Sequence, residues 1–194
     1  MLSKVEHQDA ALWKRFKAGD KSALKHIYSD HIESLLQYGY RFCQDRSVIE
    51  DCIHDLFVYL WSNRETIGET DSIRSYLLVV LRRRIYRSLS NSTETSHESA
   101  AEEAPDFELN IEHQIIGKET DTQHKEELEK ALTGLSARQR EAIYLKFYKN
   151  QSYEDICEIM EINYQSARNL VFAGIRALRK TMTSLWWLVV AIVG

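Results

Sequence analysis

The chain has 194 residues, of which 25 are Lys or Arg and 29 are Asp or Glu, giving a formal net charge of −4. Seven Gly and one Pro are too few for the turns of a many-stranded sheet protein, so the composition favours an all-α fold of two small helical domains. The three Cys residues show no Cys-x-x-Cys spacing, which indicates neither a disulfide framework nor a zinc cluster and fits a reducing cytoplasm.

The charge is unevenly distributed along the chain. Residues 73–90 hold five Arg and no acid, and residues 162–180 hold three Arg, one Lys and no acid. Residues 92–129 between them carry twelve acids and two Lys. Because the neutralisation of phosphates requires clustered Lys and Arg, the two basic segments indicate nucleic-acid contacts.

Three helices are predicted in the first half of the chain. Asp20 can cap a helix whose apolar residues recur at intervals of three and four. Ser47 and Glu50 have the spacing of a capping box and predict a second helix that begins there. A third helix is expected over about residues 72–89, with a buried first half and a solvated, Arg-rich second half.

The second half begins with a predicted linker. Residues 90–123 are rich in Ser, Thr and Glu and show no sustained apolar period, which is typical of a flexible acidic connector. Capping boxes at Ser136 and Ser152 then predict two helices, and Asn163 caps a long third helix after a tight turn. That last helix carries a regular apolar stripe formed by Ala167, Leu170, Val171, Gly174, Ile175 and Leu178.

A short helix, a three-residue turn and a long basic helix form a helix-turn-helix pattern, so the polar face opposite the stripe is expected to enter a DNA major groove. Its early residues have side chains suited to base edges, and its later ones are better placed for phosphates. Phe172 shares this face. A solvated helix face with ordinary positive charge is the alternative interpretation. The candidate DNA contacts are Gln165, Ser166, Arg168, Asn169, Arg176, Arg179 and Lys180.

The helix that begins near Ser47 predicts a mixed outer strip formed by Asp51, His54, Asp55 and Val58. Catalysis by His54 and Asp55 is disfavoured, because adjacent helical residues point about 100° apart and cannot orient each other. A metal site at Asp51 and His54 lacks further ligands nearby. The strip therefore predicts a protein contact surface or a plain solvated face, and no motif predicts an enzyme, a cofactor, a metal or a small-molecule substrate.

The segment from Ile49 to Trp61 resembles the second conserved region of the sigma-70 family of RNA polymerase sigma factors. The family pattern is matched at Glu50, Asp51, Asp55, Phe57 and Trp61, while His54 replaces the usual Gln. Three other segments of the chain also resemble the family. Residues 16–28 are similar to a region that precedes this one, and residues 73–84 are similar to the segment that melts and reads promoter DNA. Residues 135–180 are similar to the fourth region. The chain has no room for the extra regions of larger factors, so the resemblance narrows to the extracytoplasmic-function group.

The resemblance implies a sigma factor that binds core RNA polymerase and directs promoter-specific transcription initiation. It assigns the outer strip to the coiled coil of the polymerase beta-prime subunit. It implies that residues 62–71 capture a flipped base of the −10 element and that the helix-turn-helix reads the −35 element. The expected contacts to the −10 element, whose alternative is a solvated helix end, are Arg74, Arg82, Arg83, Arg84 and Arg87.

The expected domains are a region 2 domain over residues 8–91, an acidic linker over 92–124, a region 4 domain over 125–182 and a hydrophobic tail over 183–194. Residues 185–193 of the tail are too short to span a bilayer and indicate a binding surface for the chain itself, an inhibitory partner or a membrane face. Of these, we expect packing on the chain itself or on an anti-sigma factor. The expected partners are core polymerase, promoter DNA and an anti-sigma factor, and the expected location is the cytoplasm. A helix-turn-helix regulator that acts without direct binding to core polymerase is the alternative function.

Overall fold

A computed structural model describes residues 2–93, 105–109 and 131–181. In those residues every regular element is helical, which confirms the all-α prediction. The chain divides into an N-terminal unit, residues 1–103, and a C-terminal unit, residues 104–194. The predicted hydrophobic tail and most of the predicted linker lie outside the described residues.

The N-terminal unit consists of α1 (Leu2–Lys17), α2 (Lys21–Gly39), α3 (Arg46–Asn63) and α4 (Ile73–Thr93). Gly19 lies between the first two helices at φ +87°, a left-handed conformation that favours glycine. Asp20 then caps α2, as predicted, by accepting hydrogen bonds from the backbone N–H groups of Ser22 and Ala23. Hydrogen bonds from the Ser22 hydroxyl and the Arg15 guanidinium hold the pKa of Asp20 well below its usual range.

The start of α3 differs from the prediction. Asp45, and not Ser47, is the capping residue, and its carboxylate accepts hydrogen bonds from the backbone N–H and the hydroxyl of Ser47 at 2.9 and 2.7 Å. Glu50 is paired with Arg46 at 2.6 Å. The predicted capping box is therefore wrong, because an ionised carboxylate two residues upstream accepts both Ser47 donors and begins the helix one residue earlier.

Helix α1 supports the start of α4 and the loop that precedes it. The carboxylate of Asp9 accepts a hydrogen bond from the backbone N–H of Ile73 at 3.1 Å, which satisfies a free donor of the first turn of α4. Trp13 is fully buried, and its indole N–H donates to the carbonyl of Gly68 at 3.0 Å. Lys17 pairs with Glu69 at 2.6 Å. The loop is therefore attached to α1 at two points.

The basic half of α4 is less solvated than predicted. Leu81, Arg82 and Ile85 are all buried, and Arg82 is only 6% exposed. The apolar stripe of the first half continues through these positions at intervals of three and four, so this side of the helix remains against the core. The helix also extends to Thr93, beyond the predicted end at about residue 89.

The C-terminal unit contains α5 (Ala137–Ile143), a π-helical turn (Tyr144–Tyr148), α6 (Tyr153–Met160) and α7 (Tyr164–Thr181). Both predicted capping boxes are present, at Ser136 with Gln139 and at Ser152 with Asp155. Glu161 ends α6 in the left-handed conformation.

Asn163 begins α7, and its side-chain oxygen accepts a hydrogen bond from the backbone N–H of Ser166 at 2.8 Å. Helix α7 packs closely on α5 through Gly174. A Cβ atom at that position would lie 2.5 Å from Ile143 Cδ1, so a larger residue could not occupy it without rearrangement. The predicted helix-turn-helix is thus confirmed, with α6 and α7 as its two helices.

Residues 105–109, which we call the strap, lie within the predicted linker yet pack on the C-terminal unit. Phe107 is 1% exposed, and its ring meets that of Tyr144 edge-on at 5.6 Å. Leu109 is partly buried against a cluster of Leu132, Leu135 and Ile143. The sequence did not predict this packing, because two apolar side chains among many acidic and small residues produce no periodic pattern.

A substitution at Gly39 tests the packing of α2 on α3. A Cβ atom there would overlap Cγ2 of Ile49, which is fully buried and whose branched side chain has few alternative rotamers. Gly39→Ala is therefore expected to destabilise the N-terminal unit by about 1–3 kcal/mol in urea denaturation. Gly68→Ala is the matched control, because a Cβ atom added there would have no neighbouring atom within 4 Å. Equal stability of the two variants would contradict the packing described.

Candidate nucleic-acid and protein contact surfaces

Helix α7 separates its apolar and polar side chains cleanly. Ala167 and Val171 are buried, at 0 and 1% exposure, and Gly174 is buried beside them. Six of the seven predicted DNA contacts are exposed on the other side of the helix, and Ser166 is half-buried. The structure therefore brings the predicted residues together on one accessible surface of α7.

Two details of this surface bear on base reading. The side-chain amide of Gln165 donates to the amide oxygen of Asn169 at 3.0 Å, which holds the two groups side by side one turn apart. Phe172 is 67% exposed in the centre of the same surface. We did not select Phe172 as a contact from the sequence, although its position opposite the apolar stripe was a usable signal. Apolar side chains on a reading helix can contact the methyl group of thymine.

The outer strip of α3 is exposed as predicted at Asp51, His54, Asp55 and Val58, and Val58 is 50% exposed. Tyr59, 39% exposed, extends the strip and was not singled out from the sequence. The strip thus combines two carboxylates, an imidazole and two apolar side chains on one accessible side of the helix.

The five candidate arginines of α4 have different environments. Arg74, Arg83 and Arg87 are exposed. Arg82 is buried, donates to the hydroxyl of Tyr86 at 2.6 Å and lies 4.1 Å from the centre of its ring. Arg82 is therefore unsuited to a DNA contact, because its guanidinium is used within the core.

Arg84 has an intermediate position between α3 and α4. Its side chain is 26% exposed, pairs with Asp55 at 3.7 Å and lies 5.4 Å from the ring centre of Tyr59. Its Nε is buried without a hydrogen-bond partner. The predicted DNA contact at Arg84 is therefore also a contact to the outer strip of α3.

Among the residues that the structure describes, no group of His, Cys, Asp or Glu is arranged to hold a metal ion. Cys43, Cys52 and Cys157 are free thiols. Burial raises the pKa of both Cys52 and Cys157, so these thiols remain protonated at neutral pH. Within the same part of the chain, no helix is both long and apolar enough to cross a membrane.

Two helical units, the second a helix-turn-helix and each with exposed arginines on one helix, define the class of protein as DNA-binding. Comparison with protein families makes this more specific. Residues 27–95 match the model of sigma-70 region 2, and residues 125–178 match that of sigma-70 region 4. The two matches together cover more than half of the chain in the family's order. The chain belongs to the sigma-70 family.

Individual relatives point to the extracytoplasmic-function group. The chain is 25% identical over 179 residues to the ECF RNA polymerase sigma factor SigL of Mycobacterium tuberculosis, covering 87% of this chain and 93% of SigL. A sigma factor directs core RNA polymerase to promoter DNA, and family membership assigns that function to this chain.

Two solved structures have a fold similar to that of this chain. RpoE of Bartonella quintana, determined in complex with the anti-sigma factor NepR, has 20% identity and a TM-score of 0.56, over 82% of this chain and 96% of RpoE. CnrH, determined in complex with the cytosolic domain of CnrY, has 13% identity and a TM-score of 0.60, over 91% of this chain and 97% of CnrH. At these identities the likeness concerns the fold.

The buried position of Arg82 gives a stability prediction. Arg82→Ala removes a buried hydrogen bond and the packing of the guanidinium on Tyr86, so it is expected to lower the free energy of unfolding of the N-terminal unit by about 1–3 kcal/mol. Arg87→Ala, at an exposed position of the same helix, is expected to change it by less than about 0.5 kcal/mol. Circular dichroism during urea titration measures both. A stable Arg82→Ala variant would return Arg82 to the set of candidate DNA contacts.

Proposed function

We propose that this sigma factor uses three separate surfaces: the outer strip of α3 for core polymerase, the exposed arginines of α4 for the −10 element, and the polar face of α7 for the −35 element. The observation that carries the proposal is the exposed polar face of α7 within a helix-turn-helix. The proposed domains are those expected from the sequence, except that the strap at 105–109 belongs with the region 4 domain. The protein acts as a specificity subunit without catalysis of its own.

The outer strip of α3 is the proposed surface for the polymerase beta-prime subunit. Its apolar members, Val58 and Tyr59, supply area to bury, and Asp51 and Asp55 supply charge that orients the partner and selects against others. His54 stands where the family pattern has Gln, and either side chain can form hydrogen bonds across such an interface.

A charge reversal in the strip tests this assignment. Asp51→Arg is expected to reduce binding of the full chain to core polymerase at least tenfold, because it replaces an acid of the interface with a charge of the opposite sign. The matched control is Glu33→Arg, which reverses an exposed charge on α2. Co-migration with core enzyme on size exclusion gives the readout. Equal binding by the two variants would refute the assignment.

Arg74, Arg83 and Arg87 are the proposed contacts to the −10 element. Single-stranded DNA is held by positive charge along its backbone and by stacking of bases on aromatic side chains, and the exposed guanidinium groups supply the charge. Residues 62–71 are proposed to receive a flipped base, which costs a few kcal/mol of unstacking that pocket contacts offset. Arg84 is retained only as a secondary contact, because it is paired with Asp55.

The polar face of α7 is proposed to read the −35 element in duplex form. Gln165, Arg168 and Asn169 lie in its first two turns, where a recognition helix reaches base edges, and Ser166 lies beside them. Arg176, Arg179 and Lys180 lie further along the helix and are proposed to contact phosphates, which position the protein without reading sequence.

These two roles predict different mutant behaviour. Arg168→Ala is expected to reduce discrimination at one base pair by about 1–3 kcal/mol, because the bidentate contact to that base is lost. Lys180→Ala is expected to weaken binding equally for matched and mismatched sequences and to lower the salt slope by about 1, since one phosphate contact is lost. Binding of polymerase holoenzyme to labelled promoter variants at several salt concentrations distinguishes the two. Identical profiles for both variants would contradict the division.

An anti-sigma factor is a proposed partner, supported by the complex of RpoE with the anti-sigma factor NepR. A cytoplasmic location is proposed because core polymerase and promoter DNA are found there. The alternative of a regulator that does not bind core polymerase is not favoured, since both sigma-70 regions are present in the family's order. Run-off transcription with purified core polymerase tests the function as a whole: no promoter-specific transcript at low salt would overturn it.

A further inference from the structure

The strap binds the C-terminal unit much as a short peptide ligand binds a receptor. Arg140 of α5 provides the polar anchor. Its Nε donates to the carbonyl of Phe107 at 2.6 Å, its Nη1 donates to the carbonyl of Leu135 at 2.9 Å, and its Nη2 pairs with the carboxylate of Asp106. The side chain of Arg140 is only 15% exposed as a result. One guanidinium thus connects the strap to the start of α5.

Two apolar anchors complete the docking site. Phe107 is buried edge-on against Tyr144, and Leu109 packs on the cluster of Leu132, Leu135 and Ile143. Glu108 between them is exposed. The pattern of an acid, an aromatic residue, an exposed residue and a leucine makes the strap a specific ligand for this site, because each anchor has its own partner.

The docking site is separate from the proposed DNA surface. Its members lie on α5, on the π-helical turn and in residues 131–135. Ala177 and Leu178 of α7 pack against the same cluster as Leu109, and both are less exposed than the arginines of that helix. An occupied docking site therefore leaves Gln165, Arg168 and Asn169 accessible.

We propose that the strap is a reversible cis ligand of this docking site, and that its occupancy sets the free length of chain between the two units. Thr93, the last residue of α4, precedes Pro105 by twelve residues. At most about 3.6 Å per residue, the two residues cannot lie more than about 43 Å apart while the strap is docked. Without the strap as an anchor, the next described residue is Ala131, 38 residues from Thr93, and the upper limit becomes about 137 Å.

A partner that holds these two points beyond the shorter limit must first release the strap. Binding of that partner and occupancy of the docking site are then thermodynamically linked, so strengthening one weakens the other. This linkage follows from chain length and contacts alone. Its extension to promoter DNA, which the proposed function has contacting both units through α4 and α7, rests on that function.

The inference is tested in the full chain by measuring distances between the units. A fluorescent donor and acceptor are attached through unnatural amino acids at Ser90 and Ala173, both exposed. Phe107→Ala and Arg140→Ala are expected to add a population at longer distance than the wild type shows. Arg138→Ala, at an exposed position of α5, is the matched control and is expected to keep the wild-type distribution. An identical distribution in all four proteins would overturn the proposal.

A second measurement avoids any effect of the substitutions on folding. A synthetic peptide with the sequence of residues 104–110, APDFELN, is added to the wild-type labelled chain. The tethered strap has an effective concentration of roughly millimolar, so several millimolar peptide should displace it and lengthen the inter-unit distances. The same peptide with Ala in place of Phe should have no effect. If the unmodified peptide also has none at about ten times that effective concentration, the strap is a fixed part of the unit and reversible docking is refuted.

Discussion

The close packing of α7 on α5 determines what the C-terminal unit can present to DNA. Gly174 lets the two helices approach, and Ala167 and Val171 complete the buried side. With one side of a regular helix fixed against the core, the side chains half a turn away must face solvent in a defined order. Asn163 and the left-handed Glu161 then fix where the helix begins. The order of the residues proposed to read bases and to contact phosphates thus follows from an apolar contact.

In the N-terminal unit, one ion pair joins two surfaces for which we propose different partners. Asp55 belongs to the outer strip of α3, and Arg84 belongs to the basic helix α4. The two charges influence each other because they lie 3.7 Å apart, and the guanidinium also lies beside the ring of Tyr59. Electrostatic effects at the protein-contact strip therefore extend to the helix proposed to meet the −10 element.

The sequence predicted the C-terminal unit more accurately than the N-terminal one. The capping boxes at Ser136 and Ser152 depend only on residues three positions apart, whose side chains and backbone N–H groups satisfy each other. Both boxes were confirmed. At the start of α3 both Asp45 and Ser47 can cap the helix, and the sequence prediction missed Asp45, which is the stronger acceptor. The burial of Arg82 was missed because it depends on Tyr86 and on the neighbouring helices and not on local composition. Phe107 was missed for a related reason, since its partner Tyr144 lies 37 residues away.

The contacts from α1 limit the conformational freedom of the loop before α4. Trp13 holds the carbonyl of Gly68, Lys17 holds Glu69, and Asp9 completes the first turn of α4. A loop attached at two points, and followed by a helix whose first turn α1 completes, has less conformational entropy to lose on receiving the flipped base that we propose for it. Helix α1 thereby restrains in advance the loop that we propose as the base-binding segment.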